Sequence, residues 1–449
     1  MRRLSGHRRV TCTILTSVPA FDATPTMLLT AMPAKITLLS RLNGKWIRVF
    51  AALTDQVWLS LLNFAISLAF IRMASKAEYA LFILLQTPIF LVQGVQNALF
   101  ISPQATVLPA SAEDRKPRVK NTSAAGQAIV ASLAALLCAI GLVVYRHVSA
   151  FPEDWLLAAS FAVAILGAMA REGVRAARYV DGRTVEALLG DLVYGFLLLL
   201  TLALIAWEQA FTAQAVLFAM GLSGLVPLLR VAWKRQLPSI DRATWKEFWA
   251  CGRWALPGVL VTWINLNAYP YVAAVALGAA AVADINAARL FLMPVALSIT
   301  AWSNLVRPKI SALMARNQPA AVRSLSLQSL MLAEAGLVVF ILFIVLTYPL
   351  LEQMLGAKYY GLLPLVLAWA GFFALSLMRN IFMATLMSAP AGYRRLHHLS
   401  WVALALVLPA LVLLSPRGAA WVIGVLGGVE LLTCVIVARA AFAFWNKAM

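Results

Sequence analysis

Twelve uninterrupted apolar runs, each long enough to cross a lipid bilayer as a helix, constrain this chain more than any other feature of its sequence. A transmembrane helix needs roughly 20 apolar residues, whereas the strands of a membrane β-barrel would alternate apolar and polar residues. The predicted spans are Val49–Ile71, Tyr79–Ser102, Ala124–Tyr145, Trp155–Val174, Val185–Trp207, Phe211–Val231, Trp254–Gly278, Val282–Val306, Leu325–Tyr348, Leu362–Met387, Leu399–Leu414 and Ala419–Ala438. The sequence therefore predicts an all-α polytopic membrane protein with about 12 transmembrane helices.

The composition leaves little sequence for anything outside the membrane. Hydrophobic residues make up 62% of the chain and charged residues 12%, against about 45–50% and 25% in soluble domains. The loops on one side are short, which leaves no room for a catalytic outer domain. The histidines lie outside the spans, and no Cys or His cluster has the spacing of metal ligands. We therefore expect neither an enzyme nor a bound metal or cofactor.

The distribution of Lys and Arg predicts the orientation of the chain. The formal net charge is +19, and of the 37 basic residues 30 fall on one side of the predicted spans and five on the other. Basic residues concentrate on the cytoplasmic side of membrane proteins. The sequence thus predicts a multi-pass protein of the bacterial inner membrane with both termini in the cytoplasm. Its basic face is expected to contact anionic lipids, and no nucleic-acid partner is expected.

Polar, aromatic and proline positions recur in the two halves of the chain. The first half carries Trp58, Asn63, Glu78–Tyr79, Pro88, Asn97 and Pro103. The second half carries Trp263, Asn267, Asp284–Ile285, Pro294, Asn304 and Pro308 in the same order. Each half contains six predicted spans, so a pseudo-twofold axis along the membrane normal relates them. Two six-helix lobes would then surround a central cavity.

This repeat predicts the organisation of the whole chain. We expect a cytoplasmic N-terminal extension over residues 1–47, an N-terminal lobe over 48–232 and a C-terminal lobe over 254–449. Between the lobes, residues 233–253 are expected to form an interfacial linker, because Arg242–Trp254 is amphipathic.

Three arginines at membrane depth are candidate binding residues. Arg379 lies in the tenth span, and the repeat gives it Arg171 as its counterpart in the fourth. Arg289 lies in the eighth span, five residues after Asp284, a spacing that aligns poorly for an ion pair on a helix. A charge inside a membrane is unfavourable unless it faces a cavity or a partner. Because guanidinium groups suit phosphate oxygens, we expect these arginines to bind an anionic group of the substrate.

Uncharged polar side chains and two carboxylates complete the candidate site. The polar residues are Asn63, Gln93, Asn97, Asn267 and Asn304, which could hydrogen-bond sugar hydroxyls or join neighbouring helices. The deepest carboxylates are Asp55 and Glu430. A buried carboxylate can take up a proton and couple transport to an ion gradient, or it can neutralise an intramembrane arginine. Both interpretations stay open for Asp55, and neutralisation is favoured for Glu430.

Three segments of the chain resemble a known family. These segments, Ile71–Tyr79, Gln93–Pro103 and Arg171–Arg183 with Asp191 beyond it, resemble the polysaccharide transporter and O-antigen flippase branch of the multidrug/oligosaccharidyl-lipid/polysaccharide exporter superfamily. The resemblance extends over residues 49–438. It implies two six-helix lobes, alternating access and an undecaprenyl diphosphate-linked oligosaccharide as cargo. Many such flippases are thought to have basic cavities, which the three arginines fit by type.

The sequence thus favours a flippase for the lipid-linked repeat unit of an exopolysaccharide or O-antigen. Its expected partners are the lipid-linked oligosaccharide, membrane lipids and the polymerase and glycosyltransferases of the same polysaccharide. The alternative is an ion-coupled multidrug or cation antiporter of the same fold, which would present carboxylates rather than arginines to its substrate.

Overall fold

The computed structural model describes residues 34–148, 154–232, 239–387 and 390–447, and they form helices joined by short turns. The first half contains α1 (Ala34–Met73), α2 (Lys76–Gln96), α3 (Ser102–Ala110), α4 (Lys116–Val148), α5 (Trp155–Val180), α6 (Thr184–Trp207) and α7 (Ala213–Ala232). The second half contains α8 (Arg242–Asn267), α9 (Tyr269–Leu277), α10 (Ala279–Leu290), α11 (Met293–Ala315), α12 (Pro319–Leu355), α13 (Leu363–Leu386), α14 (Pro390–Leu414) and α15 (Ala419–Lys447). A π-helical turn, Asn97–Ile101, joins α2 to α3. No strand occurs in the described ranges.

These helices confirm the predicted fold class. Among the described residues, ten helical segments are long and apolar enough to cross a membrane. An eleventh consists of α10 and the start of α11, which are bent by 57° relative to each other. The twelfth predicted run overlaps α7, whose apolar stretch Ala213–Leu228 is shorter. The described residues thus form ten or eleven membrane spans and one shorter apolar helix, as expected of a multi-pass membrane protein.

Helix packing repeats between the two lobes. In the first lobe α5 runs along α7, and in the second α13 runs along α15, so the fourth and sixth spans are paired in both. The first of these contacts is close because Gly167 faces Gly221 and Gly224. A Cβ at Gly167 would lie 2.1 Å from the Gly221 carbonyl oxygen. Small residues allow helix backbones to approach closely where the surrounding solvent is lipid.

The segment between the lobes is continuous with the seventh span. Arg242–Trp254, which the sequence predicts as a separate interfacial helix, is the first half of α8 and passes into the span without a break. Asp241 caps this helix by accepting a hydrogen bond from the Thr244 backbone amide at 2.9 Å. Within α8 proline occurs only at Pro257, so nothing earlier interrupts the backbone hydrogen bonds. Residues 233–238 of the predicted linker and 1–33 of the predicted extension lie outside the described residues.

Candidate functional site

A cavity of about 250 Å³ lies where the two lobes meet. Helices α1 and α2 of the first lobe line one side, and helices from α8 to α11 with Phe373 of α13 line the other. The polar side chains in its wall are Asn63, Ser67, Tyr79, Gln86, Thr87, Asn267, Tyr269, Asn286 and Arg289. Among the described residues that line this cavity, Arg289 is the one charged side chain. The cavity is thus a basic, amide-rich space between the lobes.

Aromatic rings and a hydroxyl, rather than a carboxylate, hold Arg289 in place. Its Nη1 donates a hydrogen bond to the Tyr269 hydroxyl at 3.2 Å. Its guanidinium carbon lies 5.4 Å from the centroid of the Trp369 ring, a cation–π distance. In turn, the Trp369 Nε1 donates to the Ile285 carbonyl at 2.9 Å, which fixes the ring against α10. No ion pair in the described part of the chain involves Arg289, so its charge is available to a ligand.

Asp284, which the sequence places five residues before Arg289, is engaged elsewhere. Its Oδ1 lies 2.6 Å from the Nζ of Lys76, at the start of α2. Five residues along a helix correspond to a rise of about 8 Å and bring the two side chains onto different faces. The ion pair between Asp284 and Arg289 that the sequence left open is therefore not formed.

The other cavity groups present amides and a phenol at the same level. The Tyr269 hydroxyl donates to Asn286 Oδ1 at 2.8 Å, and the Asn286 amide donates to the Val282 carbonyl at 2.8 Å. The Asn267 amide donates to the Trp263 carbonyl at 3.2 Å. Asn63 contributes from the opposite lobe. Such groups can both donate to and accept from hydroxyls, as carbohydrate binding requires.

Two residues predicted to bind sugar, Gln93 and Asn97, are not part of this wall. Gln93 and Asn97 lie about two and three turns beyond Gln86 on the same span, where the cavity lining has ended at Phe90. Asn97 instead accepts a hydrogen bond from the Ser102 hydroxyl at 2.7 Å across the π-helical turn. Asn304 lies in α11, and its side chain is outside the described part of the structure. Of the five predicted residues, Asn63 and Asn267 line the cavity.

Arg171 lies inside the first lobe and is paired with acids. We name the N-lobe ion cluster as Arg171, Arg175, Asp55, Glu172 and Asp191. Arg171 Nη1 lies 3.2 Å from Asp191 Oδ1, and its guanidinium carbon lies 4.5 Å from the centroid of the Tyr194 ring. Neither Arg171 nor Arg175 lines the cavity between the lobes. The cluster ties α1, α5 and α6 together.

Asp55, a candidate for ion coupling, is the most buried member of the N-lobe ion cluster. Its side chain is fully buried, and that of Asp191 is 2% exposed. Both carboxylates contact the same atom, Arg175 Nε, at 3.0 and 3.1 Å. The Tyr179 hydroxyl donates to Asp55 Oδ2 at 2.6 Å, whereas Asp55 Oδ1 has no hydrogen-bond partner. Three carboxylates therefore face two guanidinium groups.

Arg379 lies inside the second lobe and pairs with Glu430. The Arg379 Nε donates to Glu430 Oε1 at 2.6 Å, across α13 and α15. Their side chains are 24% and 11% exposed. From the sequence, Arg379 is expected to bind an anionic group of the substrate. In the structure its partner is Glu430. Neutralisation, the interpretation favoured for Glu430, is what the structure contains.

Six polar residues of the cavity wall were not predicted from the sequence: Ser67, Tyr79, Gln86, Thr87, Tyr269 and Asn286. Asn286 lies three residues before Arg289, so the two share a helix face, and this spacing could have identified it. Tyr269 begins α9, the short helix between α8 and α10, and its contact with Arg289 depends on how α9 packs against α10, which no local pattern indicates. In the described ranges no three His, Cys, Asp or Glu side chains are grouped to hold a metal.

Sequence similarity identifies no family for this chain, because no family model and no curated protein matches it.

Solved structures of transporters share the fold along most of their length. A multidrug resistance MATE family transporter of the MOP superfamily, in its inward-facing conformation, has a TM-score of 0.68 at 15% identity, covering 87% of this chain and 95% of that one. In the outward-facing conformation of such a transporter the TM-score is 0.55 at 14% identity, with 90% and 95% covered. A MOP superfamily transporter from Pyrococcus furiosus has a TM-score of 0.54 at 16% identity, with 90% and 93% covered. The chain has the twelve-helix fold of the MOP superfamily transporters.

Proposed function

We propose that this protein is a flippase that moves an undecaprenyl diphosphate-linked oligosaccharide from the inner to the outer leaflet by alternating access. One observation carries the proposal: the wall of the cavity between the lobes contains the guanidinium of Arg289, which no carboxylate neutralises among the described residues. An anion crossing a bilayer needs a compensating charge on its path. Arg289 supplies that charge at the interface between the two moving lobes.

The chemistry of the cavity fits a sugar diphosphate better than an apolar anion. The planar guanidinium can donate two parallel hydrogen bonds to phosphate oxygens. Asn63 and Asn267 approach from opposite lobes and can bind sugar hydroxyls. The polyprenyl chain would remain in lipid beside the lobes. We assign Arg171 and Arg379 a secondary role in binding the diphosphate, because both already bind carboxylates.

A multidrug or cation antiporter is the second candidate, and the fold comparison is the observation that favours it. The MATE neighbours are described as multidrug resistance transporters. A cationic substrate would require a carboxylate in the cavity, and none lines it in the described ranges. The transporter from Pyrococcus furiosus is itself described as having a binding pocket of reverse polarity that suggests a different function. We take cavity charge as the feature that separates substrate classes within this fold.

The N-lobe ion cluster suits the coupling of transport to protons. Asp55 and Asp191 are buried carboxylates that share one guanidinium atom, and the cluster has one carboxylate more than it has arginines. Since both carboxylates share this donor, one acid of the cluster lacks an arginine of its own. Glu430, the other candidate, is engaged by Arg379. We therefore assign ion coupling to Asp55.

The remaining elements of the proposal follow the sequence. We place the protein in a bacterial inner membrane with both termini in the cytoplasm, following the distribution of basic residues. Transport rather than catalysis is its role. Its partners in the same pathway are the glycosyltransferases that build the repeat unit and the polymerase that extends it.

The test is export in cells that lack the chromosomal gene. Deletion should abolish surface polysaccharide and leave resistance to cationic drugs unchanged. Arg289→Ala should lower export about ten- to a hundred-fold, the effect of losing a hydrogen bond to a charged group. Arg289→Lys should restore it in part, because the ammonium keeps the charge but loses the planar fork. Export is normalised to membrane-inserted protein.

Arg417→Ala is the matched control for these variants. Arg417 also lies over a tryptophan ring, 5.3 Å from the Trp421 centroid, but it is outside the cavity between the lobes. Its removal should leave export unchanged. Full export by Arg289→Ala, or loss of drug resistance with surface polysaccharide intact, would overturn the proposal.

A further inference from the structure

Two lysines, one from each lobe, join the lobes at one end of the bundle. This end, where α1 turns into α2, is here called the outer end because the sequence predicts it outside the cell. The Nζ of Lys76, at the start of α2, lies 2.6 Å from Asp284 Oδ1 on α10. Both side chains are about three-quarters buried, at 28% and 24% exposed. The same Nζ lies 5.0 Å from the centroid of the Tyr359 ring, which also belongs to the second lobe.

The second lysine makes the reciprocal contact. Lys358 lies in the turn between α12 and α13, and its Nζ donates to the Ala74 carbonyl at 3.0 Å and to the Arg72 carbonyl at 3.4 Å. These carbonyls lie at the C-terminal end of α1, where backbone acceptors lack partners within the helix. A cation is also favoured there by the helix dipole. Each lobe therefore supplies one lysine to the other.

The internal repeat makes the position of Asp284 informative. Its counterpart in the first lobe is Glu78. Glu78 accepts a hydrogen bond from the Ala213 backbone amide at 2.6 Å, and so stays within its own lobe. Asp284 occupies the same place in the repeat but reaches across to Lys76. The contact between the lobes is thus a departure from the pseudo-symmetry rather than a result of it.

The position of this contact relative to the cavity suggests its role. Asp284 lies on α10 about 8 Å outward of Arg289 along the helix axis, so the ion pair lies between the cavity and the outer end. Tyr79 and Phe82 of α2 belong to the cavity wall directly after Lys76. A cargo bound at Arg289 could leave through this end once the two lysines have released their partners.

We propose that the Lys76–Asp284 ion pair and the bonds from Lys358 to the end of α1 form a latch that keeps the cavity closed at the outer end. The latch opens when the lobes rock apart. This inference rests on the proposed function in one respect: it assumes that the lobes move relative to each other. It does not depend on the identity of the cargo.

The experiment measures access to the cavity from each face of the membrane. Ser67 lines the cavity and lies about two turns from the end of α1, so Ser67→Cys reports on access with a membrane-impermeant maleimide. Labelling is compared in right-side-out and inside-out vesicles, with the chain lacking this cysteine as background. In the chain that carries only Ser67→Cys, we expect labelling from the cytoplasmic face, because the latch closes the cavity at the outer end. Adding Asp284→Asn should raise labelling from the outer face roughly two- to five-fold, in line with the loss of one partly exposed ion pair.

Two further variants make the test decisive. Exchanging the charges in Lys76→Asp with Asp284→Lys should restore closure, because the pair is re-formed with opposite polarity. Glu113→Gln removes the partner of Lys116 within one lobe and should leave labelling unchanged. The latch is refuted if Asp284→Asn leaves access unchanged, or if the exchanged pair stays open like the single variant. Failure of the oligosaccharide proposal would instead appear in export, with these labelling results intact.

Discussion

Intramembrane arginines have opposite kinds of partner in the N-lobe ion cluster and in the cavity between the lobes. Within the lobe, Arg175 contacts Asp55, Glu172 and Asp191. In the cavity, Arg289 contacts a phenol and an indole ring and has no acidic partner among the described residues. A neutralised arginine contributes to the packing of its lobe, whereas one without a carboxylate can bind an anion. Under the proposed function, location between the lobes, rather than depth in the membrane, separates the two roles.

The largest expected effect comes from breaking the N-lobe ion cluster. Arg175→Ala leaves the buried Asp55 and Asp191 carboxylates facing each other without their shared donor. Removing one partner of a buried ion pair lowers the free energy of unfolding by about 3–5 kcal/mol. We expect a large fall in the thermal denaturation midpoint of the purified protein in detergent.

Arg183→Ala is the control for this variant. Arg183, the residue that precedes α6, pairs with Glu186 in the first turn of that helix, and their side chains are 53% and 46% exposed. The loss of such an exposed pair should lower stability by at most about 1 kcal/mol. If both variants lower the denaturation midpoint equally, the buried cluster contributes no more to the stability of the lobe than an exposed ion pair does.

Variants of the Arg379–Glu430 pair test whether a neutralised arginine inside the second lobe is structural, as we infer for the first lobe. Arg379→Ala alone should lower the free energy of unfolding by about 1–3 kcal/mol, since it leaves the Glu430 carboxylate without its donor. The double variant Arg379→Met with Glu430→Leu removes both charges, and such replacements are often neutral. If the pair is structural, the double variant regains both stability and polysaccharide export.

The same double variant gives the opposite result if Arg379 binds the diphosphate. Stability would then return while export stayed low. That outcome would restore Arg379 to the substrate path that the sequence predicted and would weaken the distinction between the lobe interior and the cavity.

A smaller effect on stability, and a specific one on transport, is expected for Asp55→Asn. The asparagine imitates a protonated carboxyl, and Arg175 keeps Asp191 and Glu172 as partners. Stability should fall by less than it does for Arg175→Ala, because Arg175 keeps two of its three acidic partners, while export should lose its response to an imposed pH gradient. The control is Asp181→Asn, because Asp181 lies at the end of α5 and its partner Lys120, on α4, is 42% exposed. A pH response retained by Asp55→Asn would exclude this carboxylate from coupling.

The smallest expected effect concerns the cap of α8. The pKa of Asp241 lies below its ordinary value because the carboxylate accepts hydrogen bonds from the Thr244 hydroxyl and backbone amide. A group with a lowered pKa in the folded state stabilises that state above its unfolded pKa, and the contribution is lost as the pH falls through the lowered value, below about pH 4. The difference in denaturation midpoint between the unchanged chain and Asp241→Asn should therefore shrink below that pH. A difference that is constant from about pH 3 to 6 would contradict the assignment.

The spans could be predicted from the sequence because each is a continuous apolar run, and the fold class is confirmed. The break between α10 and α11 could not, since the apolar run continues through it and only Pro294 lies near the bend. The ion pairs depend on how helices are rotated against each other. Asp55 and Arg175 are 120 residues apart in the sequence, and no local spacing relates them. The repeat alignment relates Arg171 to Arg379 but does not reveal that each has an acid beside it.

The glycine contact between α5 and α7 has a mechanical consequence. At Gly167, Gly221 and Gly224 the two backbones touch, so neither helix can slide past the other without a steric clash. The fourth and sixth spans therefore form one rigid unit, and the movements that the proposed transport cycle requires must occur at other helix contacts. A pair of spin labels placed across this contact would keep a constant separation, and would serve as the fixed reference against which every other distance in the cycle is measured.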